Sequence, residues 1–395
     1  MPATLRWPAL RAAFLSCLML LAATAVFAAS GTVPAAPPAS TAKRLIRETD
    51  LFRFVWVADP QLSPDGRRVA FVRVSVNAKK DGYDTAIWVA PADGSEPPRP
   101  FTSGLHDNAP RWSPSGRLLA FTRTEGAGGV GGSRPQIFLL DTVGGGEAQA
   151  LTDLPGGATA PAWSPDGRTL AFASATSPAD LEKKKAGKKG DEEYESDVRV
   201  ITTATYRSND TGYRDRSHPS HLWTVAVPTD PAAQRPEAHP VTAGTLEERN
   251  PVWSRDGAFL YYTANRLPEP DYAPQDSDLY AVPVQGGKAL KVADIDGLIE
   301  GFTPSPDGKR IAFLGALHGG TVRSSDQPDL FVVDLTPGVA PRNLTAGYDF
   351  DLGEDLSGDQ AAPRGALPLR PVWSRDGGSL YEVAADHGRA NLQRI

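Results

Sequence analysis

The sequence predicts an all-β fold made of repeated four-stranded sheets. Three observations carry that prediction. One short phrase recurs six times: LSPDGRRVAF from Leu62, WSPSGRLLAF from Trp112, WSPDGRTLAF from Trp163, WSRDGAFLYY from Trp253, PSPDGKRIAF from Pro304 and WSRDGGSLYE from Trp373. A second phrase follows the copies, as in AIWVAPADGSEPPRPFT, QIFLLDTVGGGEAQALT, DLYAVPVQGGKALKV and DLFVVDLTPGVAPRNLT. Gly (38) and Pro (36) make up close to a fifth of the 395 residues, while 40% of the chain is hydrophobic, enough for a packed core between many turns.

Each first phrase reads as a β-hairpin. In Ser164-Pro165-Asp166-Gly167 the proline presets φ for the second position of a type I turn. Asp tolerates the third and caps locally, and Gly takes the left-handed conformation that leads back into a strand. Arg255 and Arg375 replace the proline in two copies, and the Asp-Gly pair remains. The β-rich flanks, Trp163 before and Leu170-Ala171-Phe172 after, complete the hairpin. Each second phrase supplies a third strand, a Gly/Pro turn and a short fourth strand. The turn serines stand at 63, 113, 164, 254, 305 and 374, so successive spacings are 50, 51, 90, 51 and 69 residues. Two hairpins in a period of about 50 residues make one blade of a β-propeller. About six blades are expected, with the recurrent tryptophan packed between neighbours.

The remaining segments are placed around this repeat. Lys43 to Gln61 predicts a short helix passing into a strand. The long spacing after Ser164 puts an insertion at about 177–220 inside the third blade: a charged solvated loop from Glu182 to Glu193, then a β-prone stretch, DVRVITTATYRSNDTGY, predicting a hairpin at the rim. A smaller Gly/Asp-rich insertion, GYDFDLGEDLSGDQAAPRGALP, precedes the last copy. The chain ends on ANLQRI, in what would be the third strand of the sixth blade, so the last blade is expected to be incomplete and the propeller truncated.

At the N-terminus, Arg6 and Arg11 precede a 17-residue apolar run, Ala12 to Ala28, with small or tolerated residues at Val26-Phe27-Ala28. This predicts a signal peptide over 1–28 rather than a retained helix, then a Pro/Ala-rich linker over 29–44 and the propeller over 45–395. The single cysteine, Cys17, lies inside the signal, so the mature chain forms no disulfide. Export to the periplasm or beyond is expected, with no membrane contact after cleavage. A net charge of −6 and the absence of a basic stripe argue against nucleic acid as a partner.

The residues that carry chemistry are sparse. No Gly-x-Ser-x-Gly nucleophile elbow occurs. Gly131-Gly132-Ser133-Arg134-Pro135 and Gly377-Gly378-Ser379-Leu380-Tyr381 fail at the last position and read as loops or turns. His218 and His221 have the spacing of a ligand pair but no further ligands nearby in sequence. Glu247-Glu248 lies between blades and is either an exposed loop or a binder of a substrate amine. EGAGGVGGSRP lacks the Lys-Ser/Thr of a phosphate loop. No catalytic, metal or cofactor residue is assigned, and no cofactor is expected.

The repeated WSPDGxxLAF with its DLYVV-type strands resembles the propeller repeats of the prolyl oligopeptidase family of serine peptidases. DLFRFVWVADPQLSPDGRRVAFV, the inserted DVRVITTATYRSNDTGYRDRSHPSHLWTV and YDFDLGEDLSGDQAAPRGALPLRPVWSRDG are similar to its acylaminoacyl-peptidase and dipeptidyl-peptidase branch. The resemblance covers residues 45 to 395 and implies an N-terminal propeller that admits short peptides to an α/β-hydrolase domain bearing a Ser-Asp-His triad. That domain is absent from this chain, which alone is expected to be inactive. Its implied partners are short peptide substrates and the missing C-terminal hydrolase domain. The hairpin repeat itself is shared with Tol-type periplasmic propellers, so a non-catalytic protein-binding scaffold is the alternative.

Overall fold

The computed structural model describes residues 44–126, 133–187, 200–208, 212–213, 215–229, 234–273, 275–318, 326–353, 361–367 and 369–395. The predicted signal peptide and nearly all of the linker lie outside them. The chain divides into two compact units, 1–47 and 48–395. Residues 44–47 of the first are exposed irregular chain. The fold below is that of the second.

After a 3-10 turn at Glu48–Arg53, the strands form antiparallel meanders, as the sequence predicts. Blade 1 is β1 (Val55–Leu62), β2 (Arg68–Val76), β3 (Tyr83–Pro91) and β4 (Arg99–Pro100). Blade 2 is β5 (Asp107–Trp112), β6 (Leu118–Arg123), β7 (Gln136–Asp141) and β8 (Gln149–Ala150). Blade 3 joins β9 (Thr159–Trp163) and β10 (Thr169–Ser174) to β13 (His221–Ala226) and β14 (Ala238–Pro240). Between β10 and β13 the insertion carries helix α1 (Pro178–Lys185) and a two-stranded hairpin, β11 (Arg207–Ser208) and β12 (Gly212–Tyr213). Blade 4 is β15 (Arg249–Trp253), β16 (Phe259–Ala264), β17 (Asp278–Pro283) and β18 (Leu290–Ala293). Blade 5 is β19 (Gly297–Pro304), β20 (Arg310–Leu317), β21 (Pro328–Asp334) and β22 (Arg342–Asn343). Blade 6 has three strands among the described residues, β23 (Val372–Trp373), β24 (Leu380–Asp386) and β25 (Arg389–Arg394).

One expectation needs correction. The first part of the charged run, expected as a loop, is helical. Ser177 caps α1 through a capping box with Asp180, Pro178 sits in the first turn, and Lys183 to Lys185 close the last turn. These signals favour a helix terminus at each end without any buried face, and none of its residues is buried.

The six hairpin turns share one hydrogen-bond pattern. The turn serine's N–H donates to the carbonyl of its strand partner across the turn, as in Ser63 N donating to the Arg68 carbonyl at 2.8 Å, and the serine hydroxyl accepts from the same residue's N–H. In five turns the serine hydroxyl also donates to the turn aspartate, at 2.5–2.6 Å. In the second turn Ser115 replaces that carboxylate, and its hydroxyl lies 3.1 Å from that of Ser113. The turn glycines, Gly66, Gly116, Gly167, Gly257, Gly308 and Gly377, all have φ between 69° and 74°, the left-handed region that the Asp-Gly pattern anticipates.

The blades join through hydrophobic clusters, each drawn from consecutive sheets. Ala70, Ile87 and Val89 of blade 1 meet Trp112, Leu119, Phe121 and Phe138 of blade 2. Similar clusters tie blade 2 to 3, 3 to 4, 4 to 5 and 5 to 6. A cross-strand aromatic pair recurs eight residues after the turn serine: Phe71 opposite Trp88, Phe121 opposite Phe138, Phe172 opposite Trp223, Tyr262 opposite Tyr280 and Phe313 opposite Phe331. In blade 6 the same place holds Glu382 opposite Gln393.

The tryptophans sit between neighbours, as expected, and also donate hydrogen bonds. Trp112 Nε1 reaches the carbonyl of Gln61, Trp163 that of Arg111, Trp253 that of Ala162 and Trp373 that of Thr303, all at 2.9–3.1 Å. In every case the acceptor lies two residues before the previous blade's turn serine, so one bond repeats from first strand to first strand. The first strands also contact one another in sequence, β1 to β5, β5 to β9 and β9 to β15, which makes them the inner layer around the propeller axis.

Candidate functional site

The inner strands share a feature that positions side chains at the axis. Four residues before each turn serine in blades 1 to 5 the backbone turns left-handed, at Asp59 (φ 46°), Ala109 (52°), Ala160 (52°), Asn250 (57°) and Gly301 (50°). The pairing register of each strand slips at the same point. The next residue is Pro60, Pro110, Pro161 or Pro251 in blades 1 to 4. Proline has no N–H to donate to the ladder, so a strand carrying it bulges there. Blade 5 has Phe302 instead and meets the same φ with glycine. Four of the five residues have a side chain and hold a conformation that costs about 1 kcal/mol or more. The signal was present in the sequence as a proline three before the serine, and was missed because the repeat was read from Trp-Ser onward.

A charge cluster stands on these strands. Arg111 Nη1 of blade 2 lies 2.8 Å from Asp59 Oδ2 of blade 1, whose side chain is 3% exposed. Arg111 also donates to the Pro110 carbonyl, and Gln61 Nε2 donates to Asp59 Oδ1 at 2.7 Å. Arg370 of blade 6 occupies the register position of Asp59, four before Ser374 and followed by Pro371. Its side chain is exposed. Crowding by the surrounding protein, and then the like charge of Arg111, push its pKa down to about 10, with Asp59 opposing.

Described residues of the connection from blade 5 to blade 6 touch blades 1, 2 and 5. Ala362 packs on Ala58, Val72 and Val74 of blade 1. The Arg364 guanidinium lies 5.7 Å from the Tyr83 ring. Gly365 has φ 73°, and a Cβ there would come within 3.0 Å of Val72 Cγ1 and of Asn108 Oδ1. That Asn108 oxygen is buried and has no hydrogen-bond partner among the described residues. Four residues on, the Leu369 carbonyl stands against Gly301 in the inner strand of blade 5, where a Cβ would collide with it. Ala362 and Gly365 thus lie against blades 1 and 2, and Leu369 against blade 5.

The residues singled out in the sequence fall elsewhere. Glu248 is not an exposed loop residue: it is 2% exposed and fully engaged. His221 Nδ1 lies 2.7 Å from its Oε2, Thr242 Oγ1 donates to Oε2 at 3.0 Å, and Arg266 Nη2 lies 3.3 Å from Oε1. Arg266 also donates to Tyr262 Oη at 2.7 Å and lies 4.5 Å from the Tyr280 ring centroid. Burial holds the Tyr262 hydroxyl's pKa up to about 12. A groove of about 410 Å³ lined by Thr242, Glu248, Tyr262 and Arg266 opens beside this network. Blade 2 builds the same motif with Asp107 and Arg123, paired through both carboxylate oxygens at 2.7 and 2.9 Å over Phe121 and Phe138. The recurrence marks a blade-locking pair, with no unpaired carboxylate left for an amine.

Glu247 pairs with Arg249. His218 does not join His221: it contacts Asp215 at 2.6 Å and Asp180 at 3.4 Å. Among the described residues no group of three or more His, Cys, Asp or Glu side chains has the geometry to hold a metal ion. Ser379, expected in a turn, closes the sixth hairpin by donating its N–H to Ser374 Oγ at 2.9 Å. Gly131 and Gly132 lie outside the described residues. No helix among the described residues is long and apolar enough to cross a membrane.

No family model matches the chain. It is 30% identical over 360 residues to the uncharacterized peptidase YuxL of Bacillus subtilis, covering 89% of this chain and 50% of that protein. Among solved structures, the acylaminoacyl peptidase of Pyrococcus horikoshii superposes with a TM-score of 0.54 at 15% identity, over 87% of this chain and 45% of that one. The β-propeller domain of the Trilobed protease from Pyrococcus furiosus superposes with a TM-score of 0.51 at 18% identity, over 87% of this chain and 81% of that one. The structural likenesses show the fold, and the chain spans about half the length of the curated relatives it matches. Its sequence relatives are peptidases and its fold is their propeller, so the chain matches the N-terminal propeller portion of prolyl oligopeptidase-family peptidases.

Proposed function

We propose that this propeller is the substrate-gating part of an exported serine peptidase that hydrolyses short peptides or acyl-peptides. The observation that carries the reading is that, in the connection between blades 5 and 6, Ala362 and Gly365 lie against blades 1 and 2 while Leu369 lies against the inner strand of blade 5. In this reading the segment obstructs a folded chain and admits an extended one. The left-handed Gly365 seats it with almost no clearance against Val72 and Asn108. The bond-breaking step in this reading is acyl transfer by a serine, histidine and oxyanion-hole set in a hydrolase domain, to which this chain contributes selection rather than chemistry.

The test is a length series of acyl-peptides assayed with the protein encoded by the complete reading frame. Turnover is expected to fall steeply with substrate bulk, and Gly365→Val, which cannot hold φ 73° or the 3.0 Å approach, is expected to loosen that discrimination. The 395-residue chain alone is expected to turn over none of them. Equal cleavage of folded and unfolded substrates would remove the gating role. Capture of an intact protein without any peptidase activity would favour the scaffold reading. Retention of the N-terminal segment on export is checked by N-terminal sequencing of the secreted product.

A further inference from the structure

We propose that His318 is a proton-operated latch between blades 4 and 5, closed while its ring carries two protons and opened when it loses one. His318 directly follows β20, in the connection to β21 of blade 5, and its side chain is 6% exposed. Its Nδ1 lies 2.6 Å from Oδ2 of Asp326, at the far end of that connection. Its Nε2 lies 2.9 Å from the carbonyl oxygen of Gln275, in the connection that enters β17 of blade 4. The ring thus joins the second-to-third strand connections of two adjacent blades, at the end of each sheet opposite the serine turns.

Both partners are acceptors. A carboxylate and a carbonyl have no hydrogen to give, and a neutral imidazole has a single N–H, so only the imidazolium makes both bonds. The neighbouring charges favour it. Asp326 is in contact, and Asp296 acts on the ring while its carbonyl accepts from the His318 N–H at 2.9 Å. Asp276, next to Gln275, also faces it, in a group with Asp278 and Asp294 that Lys291 partly neutralises at 2.7 and 2.8 Å. The Gln275 carbonyl, then Asp326 and Asp296, raise the ring's pKa above the ordinary histidine value, and burial opposes them. A histidine raised in this way stabilises the closed arrangement below its ordinary pKa, and that contribution is lost as pH rises through the higher folded value. The carboxylate keeps the remaining N–H, because a charge-assisted bond is the stronger. The bond given up is therefore the one to Gln275, and the connection released is that of blade 4. The rest of the joint does not titrate: Ser277 N–H donates to the Gly297 carbonyl at 3.1 Å, Ser277 Oγ to the Ile299 carbonyl at 3.1 Å, and Ile299 N–H to Ser277 Oγ at 3.0 Å. The blades stay joined while the connection loosens.

The latch is independent of the peptidase reading and is tested on the full chain without substrate. The ring nitrogens of His318 are followed by nitrogen-15 NMR from about pH 5 to about pH 9, a range that brackets the ordinary histidine titration. Both are expected to bear protons at a pH where free histidine has mostly lost one. Over the same transition, hydrogen exchange at the Asp276 and Ser277 amides, corrected for its intrinsic pH dependence, is expected to accelerate about tenfold, as loss of one hydrogen bond from a charged donor predicts, while the amides of β20 hold their protection. His318→Gln cannot donate to both partners at once, and its Asp276 and Ser277 amides are expected to exchange at the faster rate at every pH. Asp326→Asn keeps the ring and removes the carboxylate, and is expected to move the transition to lower pH. Should the glutamine variant not fold, the parent's titration and the asparagine variant still decide. A His318 ring with one bare nitrogen at the acid end, exchange that ignores the ring's titration, a glutamine variant with the parent's pH-dependent exchange, or an asparagine variant with an unmoved transition would each overturn the proposal.

Discussion

The joint between blades 3 and 4 and the joint between blades 4 and 5 close the same gap in opposite directions. In the first, Trp253 reaches backwards, donating Nε1 to the Ala162 carbonyl and burying its ring in the shared cluster. In the second, the tryptophan position is Pro304, which has no side-chain donor. There Arg255 of the preceding blade reaches forwards, donating Nε to the Ser305 carbonyl at 3.2 Å and Nη2 to the Pro304 carbonyl at 3.1 Å. Arg255 is one of the two residues that replace the turn proline, so the departure from the repeat in one blade answers the departure in the next. What the repeat preserves is a bond between inner strands, and the residue that makes it is negotiable.

The comparison breaks most visibly at its hydrophobic end. Trp253→Ala is expected to cost about 3–5 kcal/mol, because it empties a buried ring-sized volume as well as removing a hydrogen bond. A chemical-denaturation midpoint measured at unchanged slope checks this. Arg255→Pro restores the commoner turn residue yet is expected to lose about 1–2 kcal/mol, since two inner carbonyls lose a charged donor. Adding Pro304→Trp to that variant sharpens the comparison: if joints are interchangeable, the double variant recovers most of the loss, and if it does not, the bridge at this joint is specific to arginine.

The joint between blades 5 and 6 supplies a smaller effect. Glu382 stands where other blades have an aromatic ring, 3% exposed, with Oε2 unpartnered among the described residues. Burial pushes its pKa up. A carboxyl whose folded pKa is raised favours the folded state most below its unfolded value and loses that contribution as pH rises through the interval between the two. Glu382→Gln is therefore expected to match the parent near pH 4 and to exceed it by about 1 kcal/mol at neutral pH, measured as the difference in unfolding free energy.

The smallest effect separates turns from one another. Serine hydroxyls hold Asp65, Asp166, Asp256, Asp307 and Asp376 below the usual carboxylate range. Their contribution is present above the unfolded value and is lost as pH falls through the lower folded value. The second turn uses Ser115 and has no carboxylate to protonate. Below pH 4, hydrogen exchange at the amides of the five aspartate turns is expected to accelerate relative to that of Gly116. Uniform acceleration in all six would remove the carboxylates from the explanation.

Much of the architecture was legible in one dimension because its causes are local. A Ser-Pro-Asp-Gly turn needs only its own four residues and the strand on either side, and the spacing of about 50 residues then counts the blades. The bulge prolines were equally local but were overlooked, since a proline before a strand suggests a turn rather than a break within the innermost strand. The charged insertion was misassigned for a related reason. Its polarity argued for a loop, while the capping box of Ser177 and Asp180 decided for helix without any need of a buried face. Glu248 illustrates the opposite case: its burial depends on His221, on a strand of blade 3, and Arg266, in the loop after β16.

The sequence by itself determined the turns, the blade count and the tryptophans at the joints, because short-range stereochemistry and a periodic pattern are written along the chain. Only the tertiary structure decided which departures from the repeat compensate one another, which carboxylates are locked in pairs, and that Arg111 of blade 2 closes on Asp59 of blade 1. Those depend on inner strands from different blades being brought around a common axis, and electrostatic and steric proximity of that kind has no counterpart in sequence distance.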